Sequence, residues 1–248
     1  MKIKNYRFGD LVFQIATPLP LKMDERFEAF CWEESAGPDF YVEIVPRETS
    51  PEERPVRIDR QGDHVVVELE PELIGGITLG NLLGAAQAPL WLPDRGCFIL
   101  HCAYVLHQDK ALLLCAPSGT GKSTLAAYWK RCRGARIINE DRALIIFRDG
   151  EAYACGCWAT GTARICENVT APIGAVVLLG QGKENQVISL RPNEMLRRII
   201  PQTSFDHLDP DQCRKIIELV SDLMEKTKVI GYECIHDESA VNELEKNL

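Results

Sequence analysis

The stretch Leu112–Leu125, LLLCAPSGTGKSTL, constrains the fold more than any other part of the sequence. It begins as an apolar strand, passes through a glycine-containing loop at 116–121, and enters a helix at 122. The stretch matches the [A/G]-x-x-x-x-G-K-[S/T] pattern of a phosphate-binding P-loop, in the strand–loop–helix context that this pattern requires. The sequence therefore predicts an α/β domain in which a strand leads into an anion site at a helix N-terminus.

The residue types of this loop fit the binding of a nucleoside triphosphate with Mg²⁺. Gly119 and Gly121 let the backbone bend around an anion without a Cβ in the way, and successive N–H groups can then point at phosphates. Lys122 would reach the β- and γ-phosphates, and the Ser123 hydroxyl would bind Mg²⁺. Ala116 replaces the usual first glycine, which is tolerated if its φ stays negative. The candidate ATP-binding residues are Ala116, Pro117, Ser118, Gly119, Thr120, Gly121, Lys122, Ser123 and Thr124.

Size and composition narrow the class of protein. A chain of 248 residues with 46% hydrophobic residues can bury a core and forms one large domain or two small ones. The net charge of -8 argues against a nucleic-acid partner, which needs a basic face. The sequence shows neither a secretory leader nor an apolar run long enough to span a bilayer, so we expect a cytoplasmic protein without a membrane partner.

The ten cysteines are scattered among apolar residues and are expected to be reduced thiols. Cys155, Cys157 and Cys166 lie close together in the sequence, and C-x-C with a third cysteine could bind zinc. A second cysteine pair or a clear fourth ligand is missing. Core thiols are therefore favoured, and a metal site at these three residues is left open.

Residues 1–93 are predicted to form a small β-rich region that ends in a helical connector at Leu79–Ala88. Alternation in Phe40–Val45 and His64–Leu69 predicts half-buried strands, and Gly62-Asp63 predicts the turn of a hairpin that ends in the second of them. The residues that predict loops or a solvated charged face here include Pro51, Glu52 and Glu53.

Residues 94–248 are predicted to form the P-loop domain around a mixed sheet. Gln186–Leu190 is expected to pair with Ala175–Leu179, and Thr203-Ser204 and His207 are expected to lie in a surface loop. Asp209 or Asp211 is expected to cap a helix that reaches Lys226. The other predicted strands are Phe98–Leu106, Ala111–Cys115, Ala135–Ile138, Ala143–Phe147, Glu151–Cys155 and Val229–Ile235, and the other helices are Ser123–Arg131, Pro192–Ile200 and Glu238–Lys246.

Two further features point to chemistry beside the loop. Glu140-Asp141 ends a predicted strand, and ligands of open α/β sheets gather at carboxyl strand ends. Carboxylates there can hold Mg²⁺ or accept the proton of an attacking hydroxyl; the alternative is a turn or a helix cap. His101 lies in an apolar strand, where a lone histidine is more often a satisfied core residue than a functional one.

The strings LHCAYV, APSGTGKSTLA and IINED, in this order, resemble the HPr kinase/phosphorylase and ATP-dependent phosphoenolpyruvate carboxykinase superfamily. They are most similar to the small HPr-kinase-like proteins of bacterial biosynthetic cassettes. The resemblance covers about Cys97 to the C-terminus. It implies an α/β fold with a mixed central sheet and the P-loop, preceded by the β-rich N-terminal region.

The resemblance also implies roles for single residues. Lys122 would stabilise the transferring phosphoryl group, Asp141 would act as the general base, and His101 would touch the metal–phosphate region. Ser123, Glu140 and Asp141 would be the metal ligands. The chain departs from the pattern in having Glu140 instead of aspartate. It also lacks a recognisable E-x-R-G loop, for which Arg164 and Glu167 are the nearest candidates.

The resulting prediction is a Mg²⁺- and ATP-dependent kinase whose acceptor is a hydroxyl of a protein, a peptide or a small molecule. HPr itself as the substrate and carboxykinase activity are not favoured. The alternatives are an ATPase that needs no acceptor, with Glu140 orienting water, and an ATP-binding regulatory partner of a peptide-modifying system. The resemblance also raises the possibility of a homo-oligomer.

Overall fold

The computed structural model describes residues 1–33, 37–48, 50, 53–235 and 237–248. Pro51 and Glu52, for which a loop and a solvated face are expected, lie outside the described residues. Contacts divide the chain into two compact units, Met1–Ala88 and Pro89–Leu248. In the described ranges, no helix is long and apolar enough to cross a membrane.

The first unit is built on a mixed sheet, which has six strands within the described residues. Its strand order is β3-β1-β2-β4-β6-β5, with parallel pairs at β2–β4 and β4–β6. The hairpin expected at Gly62-Asp63 is confirmed, since β5 and β6 pair antiparallel on either side of it. The elements of this unit are β1 (Lys2–Phe8), β2 (Leu11–Thr17), β3 (Cys31–Trp32), β4 (Phe40–Pro46), β5 (Val56–Gln61), β6 (His64–Leu69), α1 (Pro71–Ile74), α2 (Leu79–Ala85) and a 3₁₀ helix at Glu25–Phe30.

The second unit is an α/β structure around a second mixed sheet. A 3₁₀ helix at Ala88–Arg95 leads into it, and a further 3₁₀ helix occupies Ile200–Gln202. Its strands are β7 (Phe98–His107), β8 (Lys110–Cys115), β9 (Arg136–Asn139), β10 (Arg142–Arg148), β11 (Glu151–Cys155), β12 (Thr170–Gln181), β13 (Gln186–Ile188) and β14 (Lys228–Cys234). Its helices are α3 (Lys122–Arg133), α4 (Pro192–Ile199), α5 (Pro210–Lys226) and α6 (Ser239–Glu245).

The strand order of this sheet is β11-β10-β7-β8-β12-β14-β13, with β9 beside the second half of β7. Strand β8 pairs with β7 on one edge and with β12 on the other. Because β11 also pairs with the start of β12, the five strands β7, β8, β12, β11 and β10 form a closed circuit of hydrogen bonds. The loop after β8 therefore has β7 and β9 on one side and β12 on the other.

The prediction that the strand at 186–190 pairs with the strand at 175–179 is wrong. Strand β13 pairs antiparallel with β14, not with β12. Both edges of β12 are already taken by the parallel strands β8 and β14, so β13 can add only at the outer edge of β14. The connection from β12 to β13 passes close to β14 at Gly182. A glycine is needed there, because a Cβ at this position would lie 2.9 Å from the Cβ of Glu233.

Helices cover both faces of the sheet. On one face, α3 and α6 pack through Leu125, Trp129 and Val241. On the other face, α4 and α5 bury Ile199 and Val220 among the inward side chains of the strands. Burial of these apolar stripes is the main source of stability in such a layered structure.

Helix α5 begins at the first of its two candidate caps. The Asp209 carboxylate accepts from the backbone N–H groups of Asp211 (2.9 Å) and Gln212 (3.3 Å). We expect Asp209→Ala to lower the free energy of unfolding by about 1 kcal/mol, since it leaves those donors without their acceptor. Asp211→Ala, the matched control, should cost less than about half of that. Urea unfolding of both variants measures the difference, and equal losses would contradict this cap assignment.

Candidate active site

The loop at 116–121 joins the carboxyl end of β8 to the N-terminus of α3. Gly119 and Gly121 have φ of 80° and 106°, a region that glycine adopts without strain. Ala116 keeps a negative φ, as its tolerance at this position requires. Ser123 and Thr124 are exposed on the first turn of the helix. The loop and the first turn of the helix thus present part of the predicted binding set to solvent at one edge of the sheet, namely Pro117, Ser118, Gly119, Ser123 and Thr124.

Lys122 is a buried charged residue of this group, with only 7% of its surface exposed. Its Nζ donates to the carbonyl oxygens of Ala116 (2.8 Å) and Pro117 (3.3 Å). Burial lowers the pKa of Lys122, and the nearby charge of Asp141 opposes that shift. A partly dehydrated ammonium with only neutral acceptors gains strongly from an anion, because the Coulomb interaction is less screened there.

The turn after β9 is shaped by Asn139, which the sequence analysis did not single out. This fully buried side chain accepts through Oδ1 from the backbone N–H groups of Asp141 (3.0 Å) and Arg142 (2.9 Å). Its Nδ2 donates to the carbonyl oxygen of Ala159 at 3.0 Å. Asn139 therefore fixes the acidic turn and fastens the 156–169 loop beside it.

Asp141 belongs to a chain of side-chain contacts that crosses three segments. The Nε2 atom of His101 lies 3.3 Å from Oδ1 of Asp141. The Nδ1 atom of the same ring lies 2.9 Å from Oε1 of Gln202, so that it donates to the amide oxygen. Gln202 is thus a site residue that the sequence did not reveal. It is separated from His101 by 101 positions, and no local pattern marks it.

The guanidinium of Arg142, the next residue in the chain, also faces Asp141. Arg142 Nε lies 3.2 Å from Oδ2 of Asp141, and its Nη1 donates to the Ser204 hydroxyl at 3.1 Å. The hydrogen bond from His101, followed by the charges of Arg142, His101 and Lys122, lowers the pKa of Asp141 against an opposing effect of burial. The stabilisation from this ionised carboxylate is present above its ordinary pKa and is lost as pH falls through the lowered value.

Glu140 is nearly buried and is held in one orientation. Its Oε2 accepts from the backbone N–H of Ile165 at 2.9 Å. Its Oε1 is buried without a hydrogen-bond partner among the described residues. Gly161 allows the covering loop to come this close, since a Cβ there would lie 3.3 Å from that oxygen. An unpartnered buried carboxylate oxygen is costly unless a cation meets it, and the site therefore fits a divalent metal.

No cluster of three or more His, Cys, Asp or Glu side chains in the described ranges could hold a metal ion. This is compatible with Mg²⁺ at a nucleotide site, where one or two protein oxygens are completed by water and phosphates. Cys155, Cys157 and Cys166 are buried, as core thiols are expected to be. Burial raises the pKa values of Cys102 and Cys157, and that of Cys115 to about 12, so these thiols stay protonated.

The prediction that Thr203 and Ser204 lie in a surface loop is wrong. Thr203 is buried and forms a bridge with Leu100, and the Ser204 backbone N–H donates to Ile99 at 3.2 Å. These two residues are not in a surface loop because they pair with the edge of β7 at Ile99 and Leu100. His207, by contrast, is exposed as expected.

The two candidates for an E-x-R-G loop have different surroundings in the structure. Glu167 forms an ion pair with Arg136, and its backbone N–H donates to Ile138 at 2.9 Å. Arg164 is exposed and has a positive φ of 56°.

No protein-family model matches the chain, and no curated protein matches it. Among solved structures, the chain is similar to the Hpr(Ser) kinase/phosphatase from Coxiella burnetii, with a TM-score of 0.33 and 13% sequence identity. That match covers 60% of this chain and 97% of the other. The function of this chain is inferred from its own site residues.

Proposed function

We propose that this protein is a Mg²⁺- and ATP-dependent kinase that transfers the γ-phosphoryl group to a hydroxyl. The observation that carries the proposal is the nearness of a buried lysine to an ionised aspartate, with the unpartnered carboxylate oxygen of Glu140 in the same turn as that aspartate. Lys122 lies within range of the charge of Asp141, and Glu140 precedes that aspartate in the same turn. Phosphoryl transfer needs cations at the phosphates and an acceptor for one proton, and these groups supply them.

The residues would act mainly by position and charge. The backbone of the 116–121 loop would bind the β- and γ-phosphates, and Lys122 Nζ would exchange its two carbonyl partners for phosphate oxygens. Bound Mg²⁺ would neutralise charge on those phosphates, held by Ser123 and Glu140. The acceptor oxygen forms the new bond to phosphorus, its proton passes to Asp141, and the bond from phosphorus to the bridging oxygen of ADP breaks.

The low pKa of Asp141 defines the kind of base it would be. A carboxylate held ionised by His101 and Arg142 is a weak base. The transition state of phosphoryl transfer is loose, so that the hydroxyl loses its proton late and needs orientation more than a strong base. His101, fixed by Gln202, would keep the carboxylate in the orientation that receives the hydroxyl.

The chain motifs support assigning this kinase to the HPr kinase and phosphoenolpyruvate carboxykinase superfamily, with a protein, peptide or small-molecule acceptor. An acceptor-independent ATPase would need Glu140 to orient water. Its carboxylate is instead buried and bound by the Ile165 N–H, which favours the metal role. A regulatory ATP-binding partner would bind ATP without forming product.

Transfer from labelled ATP separates these functions. We expect the protein with Mg²⁺ and [γ-³²P]ATP to label an acceptor in a pool of hydroxyl-bearing peptides and small molecules, as an acid-stable phosphoester. Release of inorganic phosphate at the same rate with and without the pool would indicate the ATPase. Tight ATP binding without either product would indicate the regulatory role.

The metal role of Glu140 has its own test. Glu140→Gln keeps an oxygen that can accept from Ile165 but removes the charge that meets the metal. We expect the Mg²⁺ concentration for half-maximal activity to rise by roughly tenfold, which corresponds to about 1.4 kcal/mol. Glu184→Gln, at an exposed position, is the control. Unchanged Mg²⁺ dependence in Glu140→Gln would rule out a metal contact at this residue.

A further inference from the structure

The segment of residues 192–202, formed by α4 and the 3₁₀ turn Ile200–Gln202, reaches the candidate site at two places. Its C-terminal end is fixed to β7 by the Gln202–His101 hydrogen bond and by the bridge between Thr203 and Leu100. Arg198 lies on the same segment, four residues before Gln202. The segment that touches His101 therefore also carries a guanidinium group.

Arg198 lines a cavity that the phosphate-binding loop also lines. The cavity has a volume of about 560 Å³, and its walls are the loop, the carboxyl end of β12 and Arg198. The lining residues are Cys115, Ala116, Pro117, Ser118, Gly119, Thr120, Leu178, Leu179, Gly180, Gln181 and Arg198. None of these described residues is acidic, so that Arg198 gives the cavity its charge.

The acidic residue near Arg198 makes its hydrogen bonds to a different arginine. Glu194, one turn earlier, accepts from both the backbone N–H (2.8 Å) and Nη2 (3.1 Å) of Arg191, and the charge of Arg198 adds to the lowering of the pKa of Glu194. Arg198 itself is exposed and has no ion pair within the part of the chain that the structure describes. An exposed arginine that lines an anion-sized cavity is suited to bidentate contact with phosphate oxygens.

The sheet order gives Arg198 a distinct place in the site. His101 and the acidic turn lie on the β7 and β9 side of the loop, whereas Arg198 lies at the end of β12 on the other side. The 192–202 segment therefore crosses the carboxyl end of β8, between these two sides. A phosphate chain in the loop would have Lys122 beneath it and Arg198 on the flank away from Asp141.

We propose that Arg198 is a phosphate ligand of this site, which binds the polyphosphate chain of the nucleotide from the β12 side. This inference rests on the proposed function for the identity of the nucleotide. Arg198 is not part of the sequence pattern of the phosphate-binding loop. It lies more than 70 positions after that loop. The contact is to phosphate, so it should be independent of the base and ribose.

The test compares Arg198→Ala with Arg197→Ala, an exposed arginine on the same turn that does not line the cavity. Binding of Mg-ATP and of inorganic tripolyphosphate is measured by calorimetry, and thermal unfolding checks that each variant is folded. We expect Arg198→Ala to weaken both ligands by roughly 10- to 100-fold, the effect of losing hydrogen bonds to a charged group. Arg197→Ala should bind as the wild type does, and Arg198→Lys should fall between.

The outcomes separate this inference from the proposed function. Equal affinities of wild type, Arg198→Ala and Arg197→Ala would overturn the role of Arg198 while leaving the nucleotide site intact. Binding of tripolyphosphate but not ATP, lost in Arg198→Ala, would keep the phosphate contact and overturn the nucleotide assignment. Failure of the wild type to bind either ligand would overturn both.

Discussion

Lys122→Ala is expected to lower phosphoryl transfer by at least about 100-fold, the usual effect of removing one charge-stabilising group from a transition state. The wild-type ammonium is buried against the Ala116 and Pro117 carbonyls and within range of the charge of Asp141. A phosphate entering the loop would take the donors of the Lys122 ammonium, and in the variant this charge is missing. The rate is measured as single-turnover transfer from labelled ATP.

Lys130→Ala is the matched control, because Lys130 is an exposed lysine of the same helix. It should transfer phosphate at the wild-type rate and unfold at the wild-type temperature. If Lys122→Ala retained more than about a tenth of the wild-type rate, Lys122 would have no major part in stabilising the transition state.

Asp141→Asn is expected to lower turnover by about 10²–10⁴-fold, the range for loss of a general base. The amide oxygen can still accept from His101, whereas the amide nitrogen cannot accept from Arg142 as Oδ2 does. The contact with His101 therefore survives while the proton acceptor is lost. Binding of ATP should change little, since the loop and Lys122 are untouched. A fall in kcat at nearly constant affinity is the pattern of a group that acts in the transition state.

Asp149→Asn serves as the control for this change of charge. Asp149 lies in the exposed turn between β10 and β11 with a φ of 52°, a conformation that asparagine also adopts. Wild-type activity is expected there. Normal turnover by Asp141→Asn would show that this carboxylate is not the base.

Local patterns predicted most of the elements of the second unit. The strand before the loop and the helix after it follow from residues adjacent in sequence, and both are present. The same holds for the predicted strands Ala143–Phe147 and Glu151–Cys155, which are present as β10 and β11. These features depend on turn chemistry and periodicity, which a sequence displays directly.

Partners distant in sequence could not be predicted in this way. The pairing of β13 depends on which sheet edge is free, and that is decided by β8 and β14 together. The bridge of Thr203 to Leu100 likewise joins segments about one hundred residues apart. Apolar alternation identifies a strand but not its neighbour.

In the candidate site too, features contained in a short stretch of sequence were predicted, and contacts between distant residues were not. The loop residues and the acidic pair were predicted because their chemistry is contained in short motifs. Asn139 binds the remote carbonyl of Ala159 as well as its own turn, and Gln202 binds the remote His101. Nothing in the sequence around either residue indicates these distant contacts. The burial of one Glu140 oxygen depends on the approach of Gly161, which only the folded chain shows.

The most direct test of the central claim is a crystal structure with Mg²⁺ and a non-hydrolysable ATP analogue. We expect the β- and γ-phosphates in the 116–121 loop, Lys122 Nζ on a phosphate oxygen, and the metal against Ser123 and the free oxygen of Glu140. The Asp141 carboxylate should then face the terminal phosphate across the space for an acceptor hydroxyl. Phosphates bound elsewhere, or Lys122 still on the carbonyl oxygens of its own loop, would contradict the claim.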